Sequence, residues 1–154
     1  MDDLDRALLR LLQENGRRTN RDLALATRVV PSTSLQRVRS LIERGIISGF
    51  RAEVDLAAIG RPVQALVSVR VRPSARPVME DFRNWASGLV ETVSVFSTTG
   101  ASDFLLHVAV ADVDGLYGLV VDRITERPEV CEVRTSLVFD HRRTAAVEPV
   151  HPAE

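Results

Sequence analysis

Three short apolar periodicities fill the first 45 residues and end in the run Gly45-Ile46-Ile47-Ser48-Gly49-Phe50, which confines this part of the chain to a small helical unit. Leu4, Leu8, Leu11 and Leu12 stand at i, i+4, i+7 and i+8. Asp2 and Asp3 precede them, where they favour the helix dipole, and Gly16 follows as a stop, so the pattern predicts a first helix over 3–15. Thr19 and Asp22 have the spacing of a capping box, with Asp in place of the usual Glu or Gln. Leu23, Ala24 and Ala26 give a brief second helix over 20–27 its apolar face. The third pattern, 31–44, opens at Pro31, a favoured first helical position, turns Leu35, Val38, Leu41 and Ile42 inward and stops at Gly45. Three helices then share one core.

On the third helix, Thr33, Gln36, Arg37 and Ser40 lie opposite Leu35, Val38 and Leu41. Two short helices joined by a tight turn, the second polar on its outer side, can set that second helix in the major groove of DNA. Gln pairs with adenine edges, Arg with guanine or phosphate, and Ser or Thr with either, so these side chains fit base readout. The alternative from pattern alone is an amphipathic helix whose polar side is merely solvated. Residues 46–54 read as a following strand or wing. Residues 1–51 carry ten Arg against six acidic residues (+4) and residues 52–154 ten Arg against fifteen (−5), so the net charge of −1 conceals two electrostatically different halves.

Gly60 and Pro62 mark 55–62 as a connection, and its Leu56 and Ile59 predict that it packs. In Val63–Val71 the odd positions are apolar while Gln64, Ser68 and Arg70 alternate with them, the period of a half-buried strand. Val78, Phe82 and Trp85 give a helix over 77–87, and strands follow over 90–97 and 104–110. Asp112 or Asp114 caps a further helix with Leu116, Leu119, Val120 and Ile124 inward, Pro128 ends it, and the last strand spans 130–139. The order βαββαβ is that of a ferredoxin-like domain, an antiparallel sheet covered on one face by two helices. The expected fold class is therefore α+β, an N-terminal winged helix-turn-helix followed by a C-terminal ferredoxin-like βαββαβ domain. Leu66, Leu105 and Val138 are candidates for apolar residues on the uncovered sheet face, which predicts dimerisation through the sheets.

The loop Thr98-Thr99-Gly100-Ala101-Ser102-Asp103 is the candidate small-molecule site. Glycine permits a tight turn, and backbone N–H groups with Ser102 and Asp103 can hold the carboxylate and amine of an amino acid. An ordinary hairpin turn fits the composition equally. Catalysis has thin support. His107 alternates within a strand, His141 and His151 lie at or in the polar tail, and no nucleophile-base-orienter set, phosphate loop or metal-ligand spacing is present, so neither an enzyme nor a cofactor is expected. The single cysteine, Cys131, excludes an intrachain disulfide and a cysteine metal cluster, and is expected to be a small buried hydrophobe. No apolar run reaches the roughly 18 residues of a membrane span. The start Met1-Asp2-Asp3 has no basic or apolar leader pattern, so the expected location is the cytoplasm.

Leu4-Asp5-Arg6, Asn15-Gly16-Arg17, Asp22-Leu23-Ala24, Arg37-Val38-Arg39-Ser40-Leu41 and the Gly45–Phe50 run together resemble the Lrp/AsnC family of feast/famine transcriptional regulators, in order and spacing, over about residues 2–140. The resemblance implies binding of double-stranded DNA, a homodimer that assembles further toward an octamer, and an effector such as an amino acid held by the 98–103 loop. Ser32, Thr33, Gln36 and Arg37 would then approach base edges, Arg17, Arg18 and Arg39 the phosphates, with Ser40 also among the DNA-binding residues. The domains expected are 1–50 for DNA binding, 51–62 as linker, 63–140 for sensing and dimerisation, and 141–154 as a tail. The chain departs from the family's Gly-Leu-Ser-Pro entry into the recognition helix, having Arg28-Val29-Val30-Pro31, where Val30 cannot cap. Its loop also lacks the family's acidic and aromatic residues, with Ala101 and Ser102 in their places. A small-molecule-binding module without specific DNA contact is the alternative function.

Overall fold

The computed structural model describes residues 1–150. His151 therefore lies outside the described residues. Two compact units divide the chain: Met1–Glu53 with the described part of the segment from Arg142, and Val54–His141.

The N-terminal unit holds α1 (Asp3–Glu14), α2 (Asn20–Thr27) and α3 (Pro31–Glu43). Leu8, Leu12, Leu23, Leu41 and Ile47 form its core, with Leu4, Leu9, Leu11 and Val38 packed around them. Each helix starts differently. Asp2 Oδ1 accepts the Asp5 N–H at 2.9 Å to cap α1. Thr19 and Asp22 form the reciprocal capping box of α2, and Thr19 Oγ1 also donates to Asp22 Oδ2 at 2.7 Å. Val30 gives α3 no side-chain cap, and the helix begins on Pro31 with only the Val30 carbonyl accepting from Thr33 and Ser34 N–H.

Two expectations for this unit are corrected. Leu35 and Ile42 are 40% and 45% exposed, and the inward side of α3 is Ser34, Val38 and Leu41. Leu35 and Ile42 each follow a core-facing residue by one position, which rotates them about 100° out of the core. Residues 46–54 form no strand; α3 ends at Glu43, the chain turns at Gly45 (φ +71) with Ile46 and Ile47 N–H on the Leu41 carbonyl, and Ile47 folds into the core while the rest runs on without a ladder. The tail segment pairs with α1: Gln13 Nε2 donates to the Val147 carbonyl and Val147 N–H donates to Gln13 Oε1, at 3.1 and 2.9 Å.

The second unit opens with a single turn over 56–60, started by Asp55 Oδ1 accepting from Ala57 and Ala58 N–H and ended at Gly60 (φ +80). Leu56 packs as expected whereas Ile59 is exposed; the anchoring side chain is Arg61, which donates to the Val90 and Ala109 carbonyls. Then follow β1 (Val63–Val71), α4 (Arg76–Ser87), β2 (Thr92–Ser97), β3 (Phe104–Val110), α5 (Val113–Gly118) and β4 (Val130–Leu137). Strand order β2-β3-β1-β4, antiparallel throughout, is the ferredoxin-like arrangement expected from βαββαβ.

Asp112 Oδ1 caps α5 through the Gly115 N–H at 2.7 Å, and the helix passes into a π-helical turn over Leu119–Ile124. Leu119 and Ile124 are five positions apart, out of register for one α-helical face, and the wider turn lets both reach the core. There they join Val67, Val69, Phe82, Phe104 and Leu106.

The other sheet face has no cover within the unit. Leu66 and Leu105 alternate with buried Val67 and Leu106, and Phe96 pairs opposite Leu105. Two expectations at β4 are corrected: the strand stops at Leu137, leaving Phe139 96% exposed, and Cys131 is exposed rather than buried. Cys131 sits where the β1–β4 register shifts, so it belongs to neither face of the regular ladder, and its Sγ reaches only the Arg70 carbonyl at 3.5 Å. No helix among the described residues is long and apolar enough to cross a membrane.

Candidate functional site

The outer surface of α3 is set by what its inner side must touch. With Ser34, Val38 and Leu41 inward, Ser32, Gln36 and Arg39 form the exposed side, and Thr33 and Ser40 lie half-buried on one flank. Asn20 Nδ2 donates to the Pro31 carbonyl at 2.8 Å, tying the start of α2 to the start of α3. Arg28 closes α2 in the left-handed region (φ 56), its N–H on the Ala24 and Leu25 carbonyls, so the turn takes the shape a glycine would give it. Arg17 is exposed, and Arg18 reaches Glu14 at 3.7 Å.

Arg37 is placed differently from the base-edge position expected of it. Its Nη1 lies 2.7 Å from Asp2 and 3.3 Å from Asp5, so it turns toward α1. Arg44 joins Asp5 from the same helix at 3.4 Å. Asp5, only 2% exposed, is thus the hub of an ionic lock between α1 and α3. The Asp5 N–H bond, with the nearby Arg37 charge adding to it, holds the Asp2 carboxyl below its ordinary value. A signal for the lock was present in the sequence: Asp5, Leu8 and Leu12 share one helical stripe, and a carboxylate on an apolar stripe requires a cationic partner.

In the second unit the 98–103 loop turns at Gly100 (φ +104), as its glycine requires. It is braced internally: Thr98 N–H donates to the Asp103 carbonyl at 2.9 Å, and Thr98 Oγ1 to the Ser102 carbonyl at 2.8 Å. Asp103, expected to face a ligand, has its Oδ2 engaged by the Val71 N–H at 2.8 Å and Arg72 Nη1 at 3.3 Å. Arg70 donates to the Ala101 carbonyl, clamping the loop to β1. Of the six loop residues, Ala101 and Ser102 line a shallow cavity of about 80 Å³ on the uncovered sheet face, together with Ser68, Arg70, Glu132 and Arg134. Thr98, Thr99 and Gly100 shape the loop without lining the cavity. The sequence reading missed the β4 pair Glu132 and Arg134, 2.6 Å apart, because only strand register brings them beside the loop.

Two cationic side chains and one carboxylate around a small opening suit a zwitterion. On the same face His107 Nε2 meets Gln64 Oε1 at 2.9 Å, and its ring lies 5.7 Å from that of His141. Burial, and then the His141 charge, hold the His107 imidazole below its ordinary value.

Comparison with known proteins agrees with both units. Residues 1–48 match a winged helix-turn-helix DNA-binding model, and residues 64–145 match the Lrp/AsnC ligand binding domain. The HTH-type transcriptional regulator AldR of Mycobacterium tuberculosis is 38% identical over 146 residues, covering 95% of this chain and 82% of that protein. The transcriptional regulator AzlB of Bacillus subtilis is 29% identical over 96% of this chain and 94% of its own length. A crystal structure of a Neisseria meningitidis transcriptional regulator in complex with L-Met superposes with a TM-score of 0.87 at 29% identity, covering 94% of this chain and 93% of that one. A three-helix unit that matches a winged helix-turn-helix DNA-binding model, a ferredoxin-like unit that matches the Lrp/AsnC ligand binding domain and relatives named as transcriptional regulators lead to one conclusion: the chain belongs to the Lrp/AsnC family of transcriptional regulators.

Proposed function

We propose that α3 enters the major groove and presents Ser32, Gln36 and Arg39 to base edges, with Arg17 and Arg18 on the flanking phosphates. The observation that carries this is the exposed polar side of α3, held outward by the Asp5 lock on its other side. Arg37 serves that lock, and Thr33 and Ser40 serve the edge of the contact. Dimerisation through the uncovered sheet faces supplies the second α3 for a two-fold operator, and further assembly of dimers toward an octamer follows the family pattern.

The effector in this reading is an amino acid or a close relative, its carboxylate on Arg134 and its ammonium on Glu132. The L-Met bound by the Neisseria regulator supports that class. A protein acting on promoter DNA works in the cytoplasm, and regulation rather than catalysis is its task.

Selection of bound duplexes from a random pool by the full chain, with and without each amino acid, tests the reading. Enrichment of a two-fold motif is expected, and enrichment of none overturns it. Arg39→Ala should weaken binding to the selected duplex at least about fivefold, the size of one base-edge contact. Isothermal calorimetry should give heat with at least one amino acid and none with Glu132→Ala; no heat with any of them would remove the effector assignment.

A further inference from the structure

Ser32, Leu35, Gln36 and Arg39 stand at i, i+3, i+4 and i+7, one continuous stripe of α3, and all four are exposed. Three are polar. The fourth, Leu35, is 40% exposed and takes no part in the apolar cluster that gathers Leu4, Leu9, Leu11 and Val38. Scattered exposed leucines carry no meaning by themselves. This one sits in the first half of the helix, beside Gln36, in the row whose other members have base-reading chemistry.

The major-groove edge of DNA offers one apolar group, the 5-methyl of thymine. Gln recognises adenine through N6 and N7, and adenine's partner strand carries that methyl in the same groove. An amide and an isobutyl group on successive residues therefore match an A·T pair or step: one part reads the hydrogen-bonding edge, the other the methyl. A solvated stripe would gain nothing from a leucine here, whereas burial against a methyl removes two apolar surfaces from water at once.

We propose that Leu35 reads the 5-methyl group of a thymine next to the base contacted by Gln36, and so biases the operator toward A·T at that position. The inference rests on the placement of α3 in the major groove proposed above.

The test starts from the duplex that the wild-type chain selects from a random pool. Each thymine is replaced in turn by deoxyuridine, which keeps the hydrogen-bonding edge and removes only the methyl. Fluorescence anisotropy then compares wild type, Leu35→Ala and Leu35→Met. Wild type should lose about fourfold in affinity at one thymine per half-site, the factor that about 0.8 kcal/mol per buried methyl-sized group corresponds to. Leu35→Ala should lose a similar factor on the thymine duplex and become indifferent to uracil at that position, while Leu35→Met should keep most of the preference. Leu35→Ala that retains the wild-type thymine preference overturns the proposal and leaves α3 in the groove. Selection of no duplex by wild type overturns both. Leu35→Ala that binds thymine and uracil duplexes as wild type does, yet loses self-association in sedimentation, assigns Leu35 to a protein contact and also overturns it.

Discussion

Asp5 is a buried carboxylate with two guanidiniums from one neighbouring helix, and its loss has a definite cost. Asp5→Ala should lower stability by about 2 kcal/mol in urea denaturation, the worth of one hydrogen bond to a charged group rather than two, because Arg37 and Arg44 stay partly hydrated. Ser34 is the converse: its Oγ is fully buried on the inner side of α3 without a hydrogen-bond partner, so Ser34→Ala should hold or raise stability by up to about 1 kcal/mol. Arg28 pays for a left-handed backbone, and Arg28→Gly should raise the urea midpoint by an amount equivalent to about 0.5–1 kcal/mol. Capping residues were legible in the sequence, since Thr19 and Asp22 act through bonds only three positions apart. Asp5 was not recognised as a hub, because Arg37 and Arg44 reach it from 32 and 39 positions away.

At the scale of elements, helix and strand boundaries were readable wherever a local stop or cap fixes them, as at Gly45, Asp112 and Pro31. Facing was less readable. Leu35, Val38, Leu41 and Ile42 are all apolar, and which of them turns inward depends on where α1 and α2 sit, information that α3 does not contain. The sensing loop illustrates the same limit: Gly100 announces the turn, but the Arg70 clamp and the engagement of Asp103 with β1 depend on which strands become neighbours. The uncovered sheet face also carries a titration. Folded His107 takes up a proton less readily than an ordinary imidazole of pKa 6.5, so its neutral form favours folding. That contribution is complete above pH 6.5 and diminishes as the pH falls below it, because the unfolded chain then binds more protons. Thermal unfolding of wild type and His107→Gln between about pH 7.5 and 5 should show the variant losing less stability on acidification.

For the whole molecule, the proposed dimerisation through the uncovered face sets the working state. Leu66 on β1 pairs opposite His107 and lies diagonal to Leu105 on β3, which faces Phe96, and an aspartate at Leu66 would face its own copy across the two-fold axis of the proposed dimer. Leu66→Asp should therefore sediment as a monomer with unchanged helical circular dichroism, and should bind the selected operator more weakly because one α3 replaces two. The lock between α1 and α3 bears on how the intact protein responds to ionic strength. Arg6, Arg10, Arg18, Arg37 and Arg44 already face carboxylates, so half of the ten arginines in residues 1–51 exchange one anion for another if they reach a phosphate. Such an exchange leaves the displaced carboxylate beside the phosphate, so little net charge is neutralised. Each phosphate neutralised outright steepens the dependence of log K on log salt by about 0.9, so the slope per recognition unit should be no steeper than about −4 to −5, half of what the arginine count implies. A fourfold rise in salt would then weaken operator binding about 500-fold per recognition unit, where ten free arginines would weaken it more than about 10⁵-fold.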